Sequence, residues 1–258
     1  GAELFDSMRR ELASRGLTGA GALFIAAGSS AAPFALALAR IARGRSCVMM
    51  TPSAIPASSF DYAVVPWHDH PRPSPNVLVT LGAPNSIFPD ELKRRGWELA
   101  ERNPPSEESR GRWGLMIGGD DANYSISEEW ISMALPPILS AAEGLGIDLY
   151  ITTSRRTSAG AEEVLSLLAP LYPSVRMLLL ASKEDFNPVP GMLGLCSRLF
   201  VTEDSVSMVS EAITAGREVF LLRVGRRGGA RSALQDATSW LVRRRLLPGR
   251  LLWGKPRF

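Results

Sequence analysis

The chain has 258 residues, 45% of them hydrophobic and 21% charged, with 23 Gly and 19 Pro. This balance excludes a largely disordered, collagen-like or coiled-coil protein, and the length allows one large domain or two compact ones. The net charge of +3 is unevenly distributed: residues 217–258 hold eleven Lys or Arg against two acidic residues, a net of +9, whereas the first 216 residues carry a net of −6.

The cysteines indicate the redox environment. Cys47 and Cys196 lie far apart in the chain, each in apolar surroundings. This usage is typical of a reducing compartment, so it predicts a cytoplasmic protein and excludes a disulfide framework or a Cys-rich zinc site.

The longest uncharged stretch, residues 16–39, has the length of a membrane span. It is interrupted by Gly and Ser at 28–30 and by Pro33, so we predict a short buried strand followed by an Ala/Leu-rich helix. An acidic, helix-like segment over residues 3–15 precedes it, which excludes a signal peptide as the explanation.

Nine short apolar runs alternate with helical patterns along the chain. The runs are continuously hydrophobic, which is typical of parallel strands covered on both faces. The sequence therefore predicts an α/β fold with two Rossmann-like halves, whose parallel sheets face a cleft. The predicted strands are 23–27, 47–50, 62–65, 77–81, 113–117, 148–152, 175–180, 199–202 and 219–222. The predicted helices between and after them are 33–43, 89–101, 127–144, 159–169, 206–215 and 230–244.

A polar segment divides the pattern. Residues 101–112 contain two prolines and no apolar side chain, as linkers do. We therefore predict an N-terminal Rossmann-like domain over 1–103, a linker over 104–112 and a C-terminal Rossmann-like domain over 113–258. A ligand is expected in the cleft, where the carboxyl ends of the strands can face it.

Two glycines follow the fifth predicted strand. Gly118 and Gly119 can let backbone N–H groups approach an anion without obstruction by a Cβ. Asp120 and Asp121 come next and would repel a bare phosphate, so contact with sugar hydroxyls and simple turn formation remain alternatives.

The segment 202–212 is the most informative. Asp204 or Ser205 is a natural N-cap after a strand, and the first helical turn carries hydroxyls at Ser205 and Ser207. A helix N-terminus favours a diphosphate, and Glu211, about a turn and a half further on, could accept both hydroxyls of a ribose. The alternative is an ordinary capped helix with a structural glutamate.

Ser154, Arg155 and Arg156 also follow a predicted strand. The planar guanidinium group of arginine suits phosphate, so we predict ligand contact here, with a capped helix start and surface arginines as the alternative. His68 is the predicted general base. Together with His70 it could instead bind a metal or lie in a plain loop; because a third ligand is not evident nearby, no metal is predicted.

The basic C-terminal segment predicts contact with an anionic membrane surface. It includes Arg243, Arg244, Arg245, Arg250, Lys255 and Arg257. We expect no nucleic acid partner, and the location is expected to be cytoplasmic with peripheral membrane contact. The alternative is a solvated helix face in an arginine-rich protein.

Several motifs, in order along the chain, resemble the mitochondrial-fission Elm family and its bacterial relatives, a group also described as predicted nucleoside-diphosphate-sugar epimerases. They are FDYAVVPWHD at 60–69, PNVLVTLGAP at 75–84, IGG at 117–119, TTSRRT at 152–157, NP at 187–188 and TEDSVSMVSEA at 202–212. The family is similar to glycosyltransferases of the two-Rossmann-domain (GT-B) type, and its helix motif resembles the one that holds diphosphate and ribose in enzymes using UDP-N-acetylglucosamine.

The resemblance implies a GT-B-like protein that binds a nucleotide-sugar, UDP-linked, as substrate and needs no cofactor. The N-terminal domain would be the acceptor side and the C-terminal domain the nucleotide-sugar side. The implied reaction is metal-independent glycosyl transfer; a nucleoside-diphosphate-sugar epimerase and a non-catalytic membrane or partner interaction protein are the alternatives. The family usually opens with a strand and an Asp-Gly-x-x-Gly-His loop, so the N-terminal half is expected to be abbreviated.

Overall fold

The computed structural model describes residues 2–52, 55–121 and 123–227. Within these ranges the chain forms two compact units, residues 2–84 and residues 85–227. The predicted helix over 230–244 and the basic residues from Arg231 onward lie outside the described residues.

The first unit is a four-stranded parallel sheet with strands in sequence order, β1-β2-β3-β4. Its strands are β1 (Leu23–Ala27), β2 (Arg45–Met49), β3 (Tyr62–Pro66) and β4 (Val77–Thr80), and its helices are α1 (Ala2–Ser14), α2 (Ala32–Ala42) and two 3₁₀ turns, Ala57–Ser59 and Trp67–Asp69. A small core forms where α2 packs on the sheet, around Ala32, Val48, Phe60, Ala63 and Val65. The uncharged stretch 16–39 is thus divided between β1 and α2, and among the described residues no helix is long and apolar enough to cross a membrane.

The second unit contains seven strands and five α-helices. The strands are β5 (Gly111–Met116), β6 (Tyr124–Ser125), β7 (Ile147–Thr152), β8 (Val175–Leu179), β9 (Arg198–Thr202), β10 (Glu218–Leu222) and β11 (Gly225–Arg226). The helices are α3 (Pro89–Arg102), α4 (Glu128–Leu145), α5 (Ala159–Leu168), α6 (Val189–Leu195) and α7 (Val206–Thr214), with a 3₁₀ turn at Ala169–Leu171. Strands β6 and β11 form a separate antiparallel pair.

The main sheet of the second unit is parallel, with the order β10-β9-β5-β7-β8. Numbered by their sequence within this sheet, the strands run 5-4-1-2-3, which is the Rossmann order. The strand order reverses between β5 and β9. Ligands of such sheets bind outside the carboxyl ends of the strands at this switch point, so the topology indicates where to look for a site.

The central strands of the second sheet, β5, β7 and β9, are buried on both faces. Leu115 and Ile117 belong to one core cluster with α4 and α5, and Met116, between them in the sequence, belongs to the other cluster with α3, α6 and α7. Since successive side chains of a strand point to opposite faces, both faces require apolar residues. This explains why the strands are continuously hydrophobic.

The predicted α/β class with two parallel sheets is confirmed, and all nine predicted strands are present with bounds within two residues of the prediction. Helix α6 was not predicted, because its seven residues include two glycines and a proline. The glycines serve close packing against α3: a Cβ on Gly194 would collide with the carbonyl of Leu92.

The boundary between the units differs from the predicted linker. It falls at Pro84 and Asn85, because α3 packs against α6 in the second unit. Segment 104–112 also lies within the second unit, where the amide of Ser106 donates to the carboxylate of Asp148 at 2.8 Å. Its polarity reflects hydrogen bonds made at the amino end of the sheet.

Candidate functional site

A cavity of about 580 Å³ opens at the carboxyl ends of β7, β8 and β9, beside the switch point of the second sheet. It is lined by the residues that follow these strands: Thr152–Arg156, Leu179 and Ala181, Glu184–Val189, and Ser205, Ser207, Met208 and Glu211. Cavities of a few hundred Å³ suit small molecules and cofactors. Six of the nine predicted ligand-binding residues are among the lining: Ser154, Arg155, Arg156, Ser205, Ser207 and Glu211.

Helix α7 begins at the cavity without a side-chain cap. Ser205 occupies the N-cap position, but its hydroxyl makes no capping hydrogen bond. The residue is buried, and Ser207, in the first turn, is exposed. Because the first amides of a helix have no partner within the helix, they remain donors for a group in the cavity, where the helix dipole favours negative charge.

Glu211 is the carboxylate of α7 that reaches the cavity. Its side chain is partly buried, and burial raises the pKa of the carboxyl above its ordinary value. Among the described residues the structure shows no hydrogen bond or ion pair to this carboxylate. It also borders a smaller cavity of about 170 Å³, next to Phe88 and Asn187. Because the carboxylate has lost part of its hydration, a ligand hydroxyl that donates to it would replace what burial removes.

Asp204 does not line the cavity. Its side chain is fully buried, and its Oδ2 accepts hydrogen bonds from the amide of Gly119 at 2.8 Å and from the guanidinium of Arg156 at 3.0 Å. Gly118 donates its amide to the hydroxyl of Thr202 at 2.7 Å. The two glycine amides therefore join the carboxyl ends of β5 and β9, and neither is directed at the cavity.

The packing around positions 118 and 119 requires glycine at both. A Cβ on Gly118 would collide with the carboxylate of Asp204, and one on Gly119 would collide with the backbone of Arg156 and Thr157. The prediction located this glycine pair correctly at a strand end. However, the close approach that the pair permits is to the protein itself, which gives Gly118, Gly119 and Asp204 a supporting place beneath the cavity.

The two adjacent arginines have different environments. Arg156 donates to the carbonyls of Gly119 and Asp120, at 3.1 and 3.3 Å, as well as to Asp204. Arg155 is exposed, and no hydrogen bond or ion pair is shown for it among the described residues. Ser154 accepts the amide of Arg156 at 3.2 Å and so shapes the turn. Arg155 is thus the guanidinium that is available to a ligand.

The aspartates after the glycine pair form a turn. Asp121 accepts the amides of Asn123 and Tyr124 at 2.6 and 2.8 Å, and Asp120 accepts the amide of Ile126 at 3.0 Å. Burial raises the pKa of Asp120, but the Ile126 amide and the Arg227 guanidinium outweigh it, and the net shift is downward. Of the alternatives left open by the sequence, turn formation accounts for both carboxylates.

His68 lies in the first unit, in the 3₁₀ turn Trp67–Asp69, with its side chain 8% exposed and its Nε2 3.8 Å from a carboxylate oxygen of Asp69. Its role as a general base stays a prediction. In the described ranges, no group of three or more His, Cys, Asp or Glu residues could hold a metal ion.

Sequence reasoning missed one wall of the cavity, the loop over 180–188. It contributes Phe186, whose ring lies 4.4 Å from the guanidinium of Arg102, and Asn187, whose side-chain oxygen accepts the amide of Val189, the first residue of α6, at 3.1 Å. The Asn-Pro pair at 187–188 was a signal of a helix start, but a helix of seven residues gives too little periodicity to support it.

Three comparisons with known proteins were made, with curated proteins, with solved structures and with family models. No curated protein matches the chain. A solved structure, the α,α-trehalose 6-phosphate synthase of Burkholderia multivorans, is similar with a TM-score of 0.48 and 14% identity over 86% of this chain, and the match spans 60% of the synthase's length. The family model described as mitochondrial fission ELM1 matches residues 2–244. The chain therefore belongs to the mitochondrial fission ELM1 family.

Proposed function

We propose that the second unit binds a nucleoside-diphosphate sugar, UDP-linked, in the cavity at the carboxyl ends of β7, β8 and β9. The observation that carries the proposal is Glu211, a partly buried carboxylate with no hydrogen-bond donor among the described residues, on the same helix whose uncapped start lines the cavity. A diphosphate at the helix start would bring its ribose hydroxyls toward that carboxylate.

Charge distribution supports one orientation of the ligand. The anion is expected at the end of the cavity formed by Arg155, Ser205 and Ser207, where the helix dipole adds to the guanidinium charge. Glu184 and Asp185 line the cavity from the loop after β8, and they would repel a phosphate placed beside them. Carboxylates are good acceptors for sugar hydroxyls, so the uncharged part of the ligand is expected on that side.

The proposed activity is metal-independent glycosyl transfer, in which Arg155 stabilises the charge that develops on the leaving diphosphate. His68, in the first unit, is the proposed general base. Epimerisation of the same nucleotide-sugar is the alternative chemistry, and it would use the same binding residues.

A thermal-shift panel of UDP-, GDP-, ADP- and CMP-sugars tests the binding proposal. A ligand that binds only the folded state at a concentration of about 100 times its Kd adds about 2.7 kcal/mol of stability, enough to raise Tm by about 5 °C. We expect the UDP-sugars to give the largest shift. If every nucleotide leaves Tm unchanged, the proposal fails.

A second candidate function rests on the basic C-terminal segment, with its net charge of +9 over residues 217–258. It is peripheral binding to an anionic membrane, with or without catalysis. The segment beyond Arg227 lies outside the described residues, and its charge is the observation that favours this candidate.

A further inference from the structure

We infer that Glu162, a side chain that does not line the cavity, is a positioning residue that holds two of the cavity's loops together. The loops are residues 152–157, after β7, and residues 180–188, after β8. The inference rests on the proposed function in one respect, namely that nucleotide affinity is one of its two readouts.

Glu162 is 3% exposed and lies in the first turn of α5. Its Oε1 accepts a hydrogen bond from the hydroxyl of Thr153 at 2.5 Å and from the amide of Ser182 at 3.4 Å. Its Oε2 accepts from the hydroxyl of Ser182. One carboxylate therefore contacts both loops, through Thr153 and Ser182, which are 29 positions apart in the chain.

Thr153 extends the network. Its hydroxyl donates to Glu162 and at the same time accepts the amide of Ala181 at 2.8 Å. Both Thr153 and Ala181 line the cavity, whereas Glu162 lies behind them. Beyond the last β7–β8 pair, Thr152 and Leu179, this part of the cavity wall is thus held by hydrogen bonds to Thr153 and Glu162.

The buried carboxylate of Glu162 depends on the hydrogen-bond donors around it. A buried carboxylate is costly unless donors surround it, and the structure shows no cationic partner for Glu162 within the described residues. The hydroxyls of Thr153 and Ser182, together with the favourable dipole at the start of α5, stabilise it. Movement of the 180–188 loop away from β7 would remove the amide and hydroxyl of Ser182 from the carboxylate, so Glu162 opposes that movement.

Loss of the Glu162 contacts would affect the cavity-lining residues of both loops. Arg155 follows Thr153 by two positions, and Phe186 and Asn187 follow Ser182 within five. Side chains between Lys183 and Asp185 are exposed and contribute little packing. Without the Glu162 contacts, the loop would have to be ordered when the ligand binds, and that ordering would reduce affinity.

The test compares Glu162→Ala with Glu163→Ala, a matched control on the same helix whose side chain is exposed. Glu162→Gln keeps the volume and one acceptor, and Ser182→Ala removes a single donor without altering the core. Two quantities are measured on the full chain below its melting temperature: amide hydrogen exchange over 180–188 without ligand, and the Kd for UDP.

We expect Glu162→Ala to speed exchange over 180–188 about tenfold, to leave exchange in α4 unchanged and to raise the Kd for UDP about tenfold. Glu162→Gln should stay close to the wild type in both measurements. Ser182→Ala should show smaller changes than Glu162→Ala, and Glu163→Ala should match the wild type. If Glu162→Ala does not fold, Ser182→Ala decides the matter.

Equal loop exchange in the Glu162 and Glu163 variants would overturn the inference, and so would faster exchange with an unchanged Kd. If the wild type does not bind UDP, the proposed function fails. The exchange comparison then still decides whether Glu162 holds the loop.

Discussion

The buried carboxylate of Asp204 lies 3.0 Å from the guanidinium of Arg156. Asp204 follows β9 and Arg156 follows β7, and the same carboxylate oxygen accepts the amide of Gly119, which follows β5. One side chain thus joins the carboxyl ends of three strands beneath the cavity. Because the guanidinium of Arg156 already donates to Asp204 and to the carbonyls of Gly119 and Asp120, its neighbour Arg155 is the better candidate for ligand contact.

We expect the two arginines to respond differently to substitution. Arg155→Ala should raise the Kd for UDP about tenfold, through loss of a charged hydrogen bond, with little change in Tm. Arg156→Ala should lower the free energy of unfolding by about 2 kcal/mol, because it leaves a buried charge with fewer partners. The cost should be below that of a fully buried pair, since the Arg156 side chain is 41% exposed.

Urea denaturation and calorimetric titration of both variants separate these effects. The account is contradicted if Arg155→Ala destabilises the fold while Arg156→Ala reduces only binding. Arg110→Ala, outside the cavity lining, serves as the control for the general loss of a positive charge.

Gly119→Ala should destabilise the second unit by about 2–4 kcal/mol. The added methyl group has no space beside the backbone of Arg156 and Thr157, so the loop must move and the Asp204 hydrogen bonds must lengthen. The measurement is the urea midpoint. Gly144→Ala, at a helical position where a Cβ meets nothing within 4 Å, is the control and should be neutral or slightly stabilising. Equal midpoints for the two variants would show that the close approach is not required.

The sequence predicted β5, β7 and β9 well because these central strands are buried on both faces. Strands β1, β4 and β10 have the same apolar pattern, although many of their side chains are exposed. The sequence also predicted Glu211 and Ser205 at the cavity, because a strand end followed by a helix start fixes their position. It could not distinguish Arg155 from Arg156, or show that Asp204 faces inward, since these depend on contacts between residues about 50 positions apart. Glu162 gave no signal, because a glutamate on a helix is usually exposed.

The raised pKa of Glu211 predicts that nucleotide binding depends on pH. Ribose hydroxyls donate to the ionised carboxylate, so the affinity should fall as the pH drops through the raised pKa of Glu211, at a higher pH than for an ordinary glutamate. Titrations at about pH 5 and about pH 8 measure the effect. In Glu211→Gln, which has no titrating group here, affinity should be low at both pH values. A wild-type affinity that does not vary with pH would contradict the assignment.

The ionised carboxylate of Glu211 should also lower the free energy of unfolding at neutral pH. Because its pKa is higher in the folded than in the unfolded state, its stabilising contribution is greatest below the unfolded-state pKa and is lost as the pH rises through the folded-state pKa. The neutral isostere Glu211→Gln should therefore melt at the same or a higher temperature than the wild type at about pH 8. A clear drop in Tm would indicate a structural carboxylate.

The basic C-terminal segment should give salt-sensitive binding to anionic vesicles. Replacing Arg243, Arg244 and Arg245 by Glu changes the charge of the segment by six units and should abolish co-sedimentation with phosphatidylserine vesicles. Vesicles of phosphatidylcholine alone are the control. Binding that ignores lipid charge or salt concentration would rule out this surface, because ions must screen such contacts.

Calorimetric titration of the wild type, Glu211→Ala and Ser207→Ala with UDP tests the central claim most directly. Two hydrogen bonds to a charged acceptor contribute about 2–4 kcal/mol, so Glu211→Ala should raise the Kd by roughly thirty- to a thousand-fold with little change in stability. Ser207→Ala removes one neutral hydroxyl and should raise the Kd about tenfold. A Glu211→Ala protein that binds UDP like the wild type, or that loses its fold, would contradict the account.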